Sequence, residues 1–177
     1  MIGHIRESIL KTWRFNERPL MILYHGSNIA VEKPRLIPAK RMLDFGSAFY
    51  LTSDLEQARK WALRTQNIRE SGTPLISVYE FDDHDLSALR VLSFAAPDHD
   101  WLHYVVANRT GQQTAPCDLV IGPVANDQAI RTVNDFQNGY FTEEIAIQIL
   151  RPQKLKDQYA FKSEAALQLL HFKEVLS

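Results

Sequence analysis

Two short apolar runs, Leu23-Tyr24-His25-Gly26-Ser27 and Ala48-Phe49-Tyr50-Leu51-Thr52, constrain the fold more than any other part of the chain. Each favours extended backbone and is bounded by small or polar residues, so each reads as a buried strand with a functional side chain at its mouth. A loop through Lys33-Pro34, Pro38 and Arg41 separates them, and Asp44-Phe45-Gly46 leads into the second run.

Beyond Thr52 the chain alternates helical and extended patterns. Ser53 or Asp54 can cap a helix in which Leu55, Ala58, Trp61, Ala62 and Thr65 form one buried face, ending before Ser71-Gly72-Thr73-Pro74. Leu75 to Phe81 and Arg90 to Phe94 predict strands, and Asp100 to Arg109 a helix. Leu119-Val120-Ile121 predicts a central strand closed by Gly122-Pro123. Helices are expected from Gln128 to Asn138 and from a Thr142 cap to Leu150, then a last strand from Gln158 to Phe161 and a terminal helix or turn from Ser163. Trp61 and Trp101 sit within apolar helical faces and are expected in the core. The pattern is α+β, with a short amphipathic helical extension over residues 1 to 20 and one domain over 21 to 177.

With 177 residues the chain can build one core, and 45% hydrophobic and 23% charged residues exclude a disordered tail or a membrane bundle. No apolar stretch approaches the roughly 20 residues that span a bilayer. The start lacks the apolar block of a secretory signal, and the lone Cys117 permits no internal disulfide. A cytoplasmic protein is therefore expected. A net charge of −1 argues against a generic electrostatic grip on nucleic acid.

The side chains at the two strand mouths suit a nicotinamide dinucleotide. A histidine such as His25 can bond a ribose hydroxyl, and Gly26 lets a flat carboxamide approach the backbone. Tyr50 offers an electron-rich face to a cationic pyridinium ring, with Phe49 or Phe45 completing the wall.

These pieces stand in a familiar order. Tyr24-His25-Gly26-Ser27, then Asp44-Phe45-Gly46 through Phe49-Tyr50-Leu51-Thr52 with Gln57-Ala58 and Trp61-Ala62, then Asp118 to Val124, then Asp157-Gln158-Tyr159 through Leu167, resemble the diphtheria-toxin-like ADP-ribosyltransferases. More narrowly, the chain resembles small bacterial domains of that kind, some encoded as toxins beside a short antitoxin. The resemblance implies a split antiparallel β-sheet core with flanking helices, NAD as co-substrate, and no metal. It implies His25, Tyr50 and Gln158 as catalytic residues, and His25, Gly26, Ser27, Phe45, Gly46, Phe49 and Tyr50 around the NAD. The implied activity is transfer of one ADP-ribose to a macromolecule, protein or nucleic acid, with a small antitoxin protein as partner. An NAD glycohydrolase and a non-catalytic NAD-binding or interaction module are the alternatives. Two departures stand out: Ala48 where a glycine is expected, and Gln158 where the superfamily commonly has glutamate.

Other constellations compete less well. His99 and His103 share a helix face, as zinc ligands do, but no third ligand is obvious and Asp98 or Asp100 reads as a helix cap. Asp82-Asp83-His84-Asp85 reads as a solvated turn, and Cys117 as a buried apolar residue. Asp44-Phe45-Gly46 matches a kinase triplet without any of its companions.

Overall fold

The computed structural model describes residues 19–38, 43–84 and 86–177. The helical extension expected over residues 1 to 20 falls almost wholly outside them, as do Arg41 and Asp85. The elements, in order, are β1 (Met21–Ser27), β2 (Phe49–Thr52), α1 (Leu55–Arg69), β3 (Leu75–Phe81), β4 (Val91–Ser93) and α2 (His99–Arg109). They continue with β5 (Leu119–Pro123), α3 (Asp127–Gln137), α4 (Glu143–Leu150), β6 (Asp157–Phe161), α5 (Glu164–Leu167) and β7 (Leu170–Leu176). The fold is α+β.

Helix starts are fixed by their caps. Asp54 accepts from the Gln57 amide at 2.8 Å, Asp98 from Trp101 at 3.0 Å, and Asn126 from Gln128 and Ala129 at 3.0 and 2.9 Å. Thr142 and Ser163 cap α4 and α5 in the same way.

The seven strands form one sheet in the order β4-β5-β6-β2-β1-β3-β7. All neighbours are antiparallel except β4 and β5. β5, expected at the centre, lies one strand from the edge. The terminal helix is the single turn α5, after which the chain returns as β7 along β3. β7 carries Phe172, Glu174 and Val175 on an exposed strand, so its alternation lacks the buried face by which a strand announces itself in sequence.

Along β1 and β3 the ladder runs from Met21↔Phe81 to Ser27↔Leu75, but β1 meets β2 at one register pair, Tyr24↔Thr52. The sheet thus consists of two ladders joined at a narrow junction. On one face α1 covers β1 and β3 through Ala58, Ala62 and Ile76. On the same face, α2, α3 and α4 cover the other ladder around Trp101, Leu102, Val105, Val120, Leu150 and Ala160. The opposite face buries Leu23, Leu51, Tyr79, Phe81, Leu119 and Phe161 beneath α5 and loop side chains such as Val31 and Leu36. Among the described residues, no helix is long and apolar enough to cross a membrane.

Trp101 is in the core as expected, fully buried, with its indole N–H donating to the Pro123 carbonyl at 2.9 Å. Trp61 is not, with 36% of its surface exposed. The cause is the closeness of α1 to β1. A Cβ on Gly26 would run into the Ala58 carbonyl oxygen and lie 2.8 Å from the Ala62 nitrogen, so only the small Ala58 and Ala62 fit beneath the helix. Trp61 is turned to the flank, where Arg64 lies 5.3 Å from its ring centroid.

Candidate functional site

Strand alternation sets which predicted site residues can meet. Tyr50 pairs with Ala160, and Gln158 pairs with Thr52 and Gly122. Tyr50, Thr52 and Gln158 therefore project to the helix-covered face, and Tyr50 and Gln158 are diagonal neighbours across β2 and β6. His25 lies on β1 two residues from the buried Leu23, and its ring stacks on Phe49 with centroids 4.4 Å apart and planes at 29°. Its side chain thus belongs to the opposite face, and it reaches Tyr50 through the main chain.

That link is a hydrogen bond of 2.8 Å between His25 Nδ1 and the Tyr50 carbonyl oxygen. It forms where β1 and β2 have parted, so the imidazole supplies the donor that a neighbouring strand would otherwise give. Nδ1 must carry the proton to do so, which leaves Nε2 as the acceptor of a neutral ring. Burial lowers the His25 pKa, partly opposed by the bond to Tyr50, with Arg69 lowering it further. His25 is accordingly neutral at physiological pH.

The Tyr50 hydroxyl donates to the Gly46 carbonyl at 2.6 Å, and burial together with nearby Asp44 raises its pKa so that it stays protonated. The ring is half-buried against the helical core. The turn it holds is tied elsewhere too. The Arg109 guanidinium donates to Asp44 at 2.9 Å, Lys162 Nζ donates to the Phe45 carbonyl, and Gly46 takes φ +76° beside Asn108. A side chain at Gly46 would be strained by that φ.

The remaining predicted contacts are deeper than expected. Phe45 is fully buried against Phe94 and Tyr104, so its ring is a core ring and not a wall of a cleft. Phe49 is buried between His25 and the edge of Tyr79. Ser27 is also buried. Gly26 is needed first by α1, whose backbone occupies the space a side chain would take.

Gln158 exposes 7% of its surface, and its amide nitrogen has no hydrogen-bond partner among the described residues. Such an orphan costs free energy unless something meets it. Next to it on the sheet, the Thr52 hydroxyl is committed, donating to the Asp157 carbonyl at 3.0 Å and accepting from the Asp54 amide at 3.1 Å. Gln57, on the first turn of α1, leaves its Oε1 buried and equally without a partner among the described residues. Gln57 belongs to the segment that carries the family resemblance, but the sequence assigned it no role of its own. α1 and the α2–α4 layer are bridged by the Arg64–Asp127 pair at 3.9 Å, and Lys156 pairs with the α1 cap Asp54 at 2.8 Å. The seam between these helix groups lies over the strands that carry Tyr50 and Gln158.

A separate shallow depression of about 260 Å³ is lined by Leu36, Ile37, Pro38, Ser47, Ala48 and Lys162. His25, Tyr50 and Gln158 take no part in it.

Cys117 is half-buried beside β5, 3.5 Å from the Tyr104 hydroxyl. Asp82 pairs with His84 at 2.8 Å in an exposed turn, as expected. The third ligand missing from the His99/His103 pair is present in space: both imidazoles meet the carboxylate of Glu143, with His103 Nε2 at 2.9 Å from Oε2. The forty-position separation of His103 and Glu143 hid it from the sequence pattern.

No curated protein and no solved structure matches this chain. Residues 21–172, the span from the start of β1 into β7, match the family described as "Protein of unknown function (DUF3990)", and the chain belongs to that family.

Proposed function

We propose that the chain is an NAD-dependent mono-ADP-ribosyltransferase with the split-sheet architecture of that superfamily. It transfers ADP-ribose to a macromolecular acceptor, protein or nucleic acid, and acts as the toxin of a bacterial toxin-antitoxin pair whose small partner protein restrains it. One observation carries the reading: the Gln158 amide nitrogen is buried without a partner among the described residues, on the same face as Tyr50 and beside the junction of the two ladders. The family resemblance gives the same position the contact to the nicotinamide ribose.

Cleavage of the glycosidic bond to nicotinamide creates an oxocarbenium-like ribose, so the residues must orient the ribose, hold the leaving ring and exclude water. The Gln158 amide meets a ribose hydroxyl, which both donates and accepts. The resemblance assigns a second hydroxyl contact to His25, whose ring, fixed by the bond from Nδ1 to Tyr50, lies on the other face of the sheet from Gln158 and would offer Nε2. Tyr50 stacks on the nicotinamide, and the Gly26 backbone holds the carboxamide. An amide cannot ionise, so Gln158 stabilises positive charge less than glutamate would and cannot serve as a general base. That favours single transfer to an acceptor already nucleophilic over chain elongation or hydrolysis.

Single-turnover nicotinamide release by the full chain with NAD and host lysate tests this, with protease and nuclease digestion locating the label. Gln158→Ala should lower turnover more than affinity, and Gln158→Glu should keep substantial activity and shift towards hydrolysis. Expression of the wild type should slow growth and His25→Ala should relieve it. Equal release by wild type and both Gln158 variants would remove the residue from the site and sink the reading.

A further inference from the structure

We propose that His99, His103 and Glu143 form a binding site for one divalent transition-metal ion of the zinc class, clipping α2 to α4. His99 and His103 stand one turn apart on α2 with ring centroids 4.5 Å apart, and Glu143 opens α4. One ligand atom from each of the three lies within 4.8 Å of the others. His99 Nδ1 faces Glu143 Oε1, and His103 Nε2 faces Oε2.

Two imidazole nitrogens and one carboxylate oxygen match the donor preference of Zn²⁺, which takes such ligands at about 2.0–2.2 Å in tetrahedral geometry. Seating an ion among them opens the two hydrogen-bonded N···O contacts and draws in the most widely separated donors, movements of side chains on helices whose backbones are already packed. α4 is anchored by Ala146 and Leu150, α2 by Trp101, Leu102 and Val105, all fully buried. The His103 ring is steered by Phe136 of α3, which meets it edge-on at 5.6 Å and 83°. Ligands on packed helices are placed more firmly than ligands on loops. Side-chain exposures of 60% for His99, 50% for His103 and 31% for Glu143 leave the site open to an arriving ion and leave a fourth position for water. Asp100, 4.0 Å from His99 Nε2, adds negative charge at the rim.

A simple ion-pair cluster is the competing account. Exposed pairs of this kind contribute little to stability and would show no saturable metal affinity. The site shares no residue with His25, Tyr50 and Gln158, so the ion takes no part in the proposed transfer.

Calorimetric titration of the metal-free full chain with ZnCl₂, alongside thermal unfolding, decides between them. We expect one saturable site and a rise in Tm with zinc. H99N/H103N and the near-isosteric E143Q should each weaken binding by at least about tenfold and lose the Tm rise, whereas H84N should retain both. Circular dichroism of the metal-free variants checks that they fold. The Cu²⁺ form should show two imidazole nitrogens by electron paramagnetic resonance in the wild type and none at this site in H99N/H103N. Zinc binding by H99N/H103N as tight as by wild type, or no saturable binding by the wild type, overturns the site.

Discussion

His25 Nδ1 lies 2.8 Å from the carbonyl oxygen of Tyr50, so a side chain of one ladder completes the main chain of the other where their strands separate. The imidazole is thereby both a spacer between the two strands and the donor that keeps a buried carbonyl satisfied.

Burial of the imidazole makes stability depend on pH. The folded-state pKa of His25 is lowered, so below the ordinary histidine value the unfolded chain takes up a proton that the folded chain refuses. Stability is full above about pH 6.5 and falls as pH drops below it, at no more than about 1.4 kcal/mol per pH unit for this group. Urea unfolding of wild type and His25→Asn from pH 7.5 to 5 checks it; the variant should be less stable at pH 7.5, and the gap should narrow on acidification. A constant gap would mean that His25 does not carry the effect.

Gly26→Ala should be severe. The added methyl collides with the Ala58 carbonyl and the Ala62 nitrogen, which are helix backbone and can yield only if α1 lifts as a unit. A loss of at least about 2 kcal/mol is expected by denaturant melt, from overpacking alone.

Gln158→Met separates stability from function. The substitution keeps the volume and removes an orphaned donor, so the folded state should be unchanged or gain up to about 1 kcal/mol. Nicotinamide release should nevertheless collapse. A destabilised variant would show that the wild-type amide has a structural partner.

Tyr50 offers a two-step test. Tyr50→Phe keeps the ring but leaves the Gly46 carbonyl without its donor, a cost of about 1 kcal/mol in stability with NAD affinity retained. Tyr50→Ala removes the stacking surface and should weaken NAD binding by roughly tenfold, about 1–2 kcal/mol. Isothermal titration with NAD, run beside circular dichroism, distinguishes the two; equal affinity in wild type and Tyr50→Ala would remove the ring from the binding surface.

Chelation should divide the metal cluster from the NAD site. Removing zinc should lower the Tm of the loaded protein through His99, His103 and Glu143, while nicotinamide release is untouched. Activity lost with EDTA and restored by zinc would place the metal in the chemistry.

Much of the fold was legible in the chain, and the exceptions have physical causes. Helix starts were readable at Ser53 or Asp54, at Asp98 or Asp100 and at Thr142, because a short polar side chain ahead of a periodic run has one main use, and the structure places the caps on Asp54, Asp98 and Thr142. β1, β2, β3 and β6 were readable from their apolar runs. β7 was missed because its exposed strand buries little of itself. Trp61 was misjudged because periodicity counts which residues share a helix face but not how closely that face approaches its neighbour, and Gly26 lets α1 come in to alanine distance. At the candidate site, residue identities could be listed but not their faces. The parity of β1 against β2 hangs on the single Tyr24↔Thr52 pair, and that pair sends the His25 ring to the Phe49 side and Tyr50 to the other. Glu143 could not be found at all, since nothing in sequence links the start of one helix to the face of another forty residues earlier.

The junction at Tyr24 and Thr52 leaves β1 and β2 joined differently from the other strand neighbours. Beyond that pair the contact is carried by one side chain, the His25 imidazole on the Tyr50 carbonyl, and not by a row of backbone bonds. A substitution at His25 therefore acts on the joint between the two ladders while every paired strand within them keeps its register.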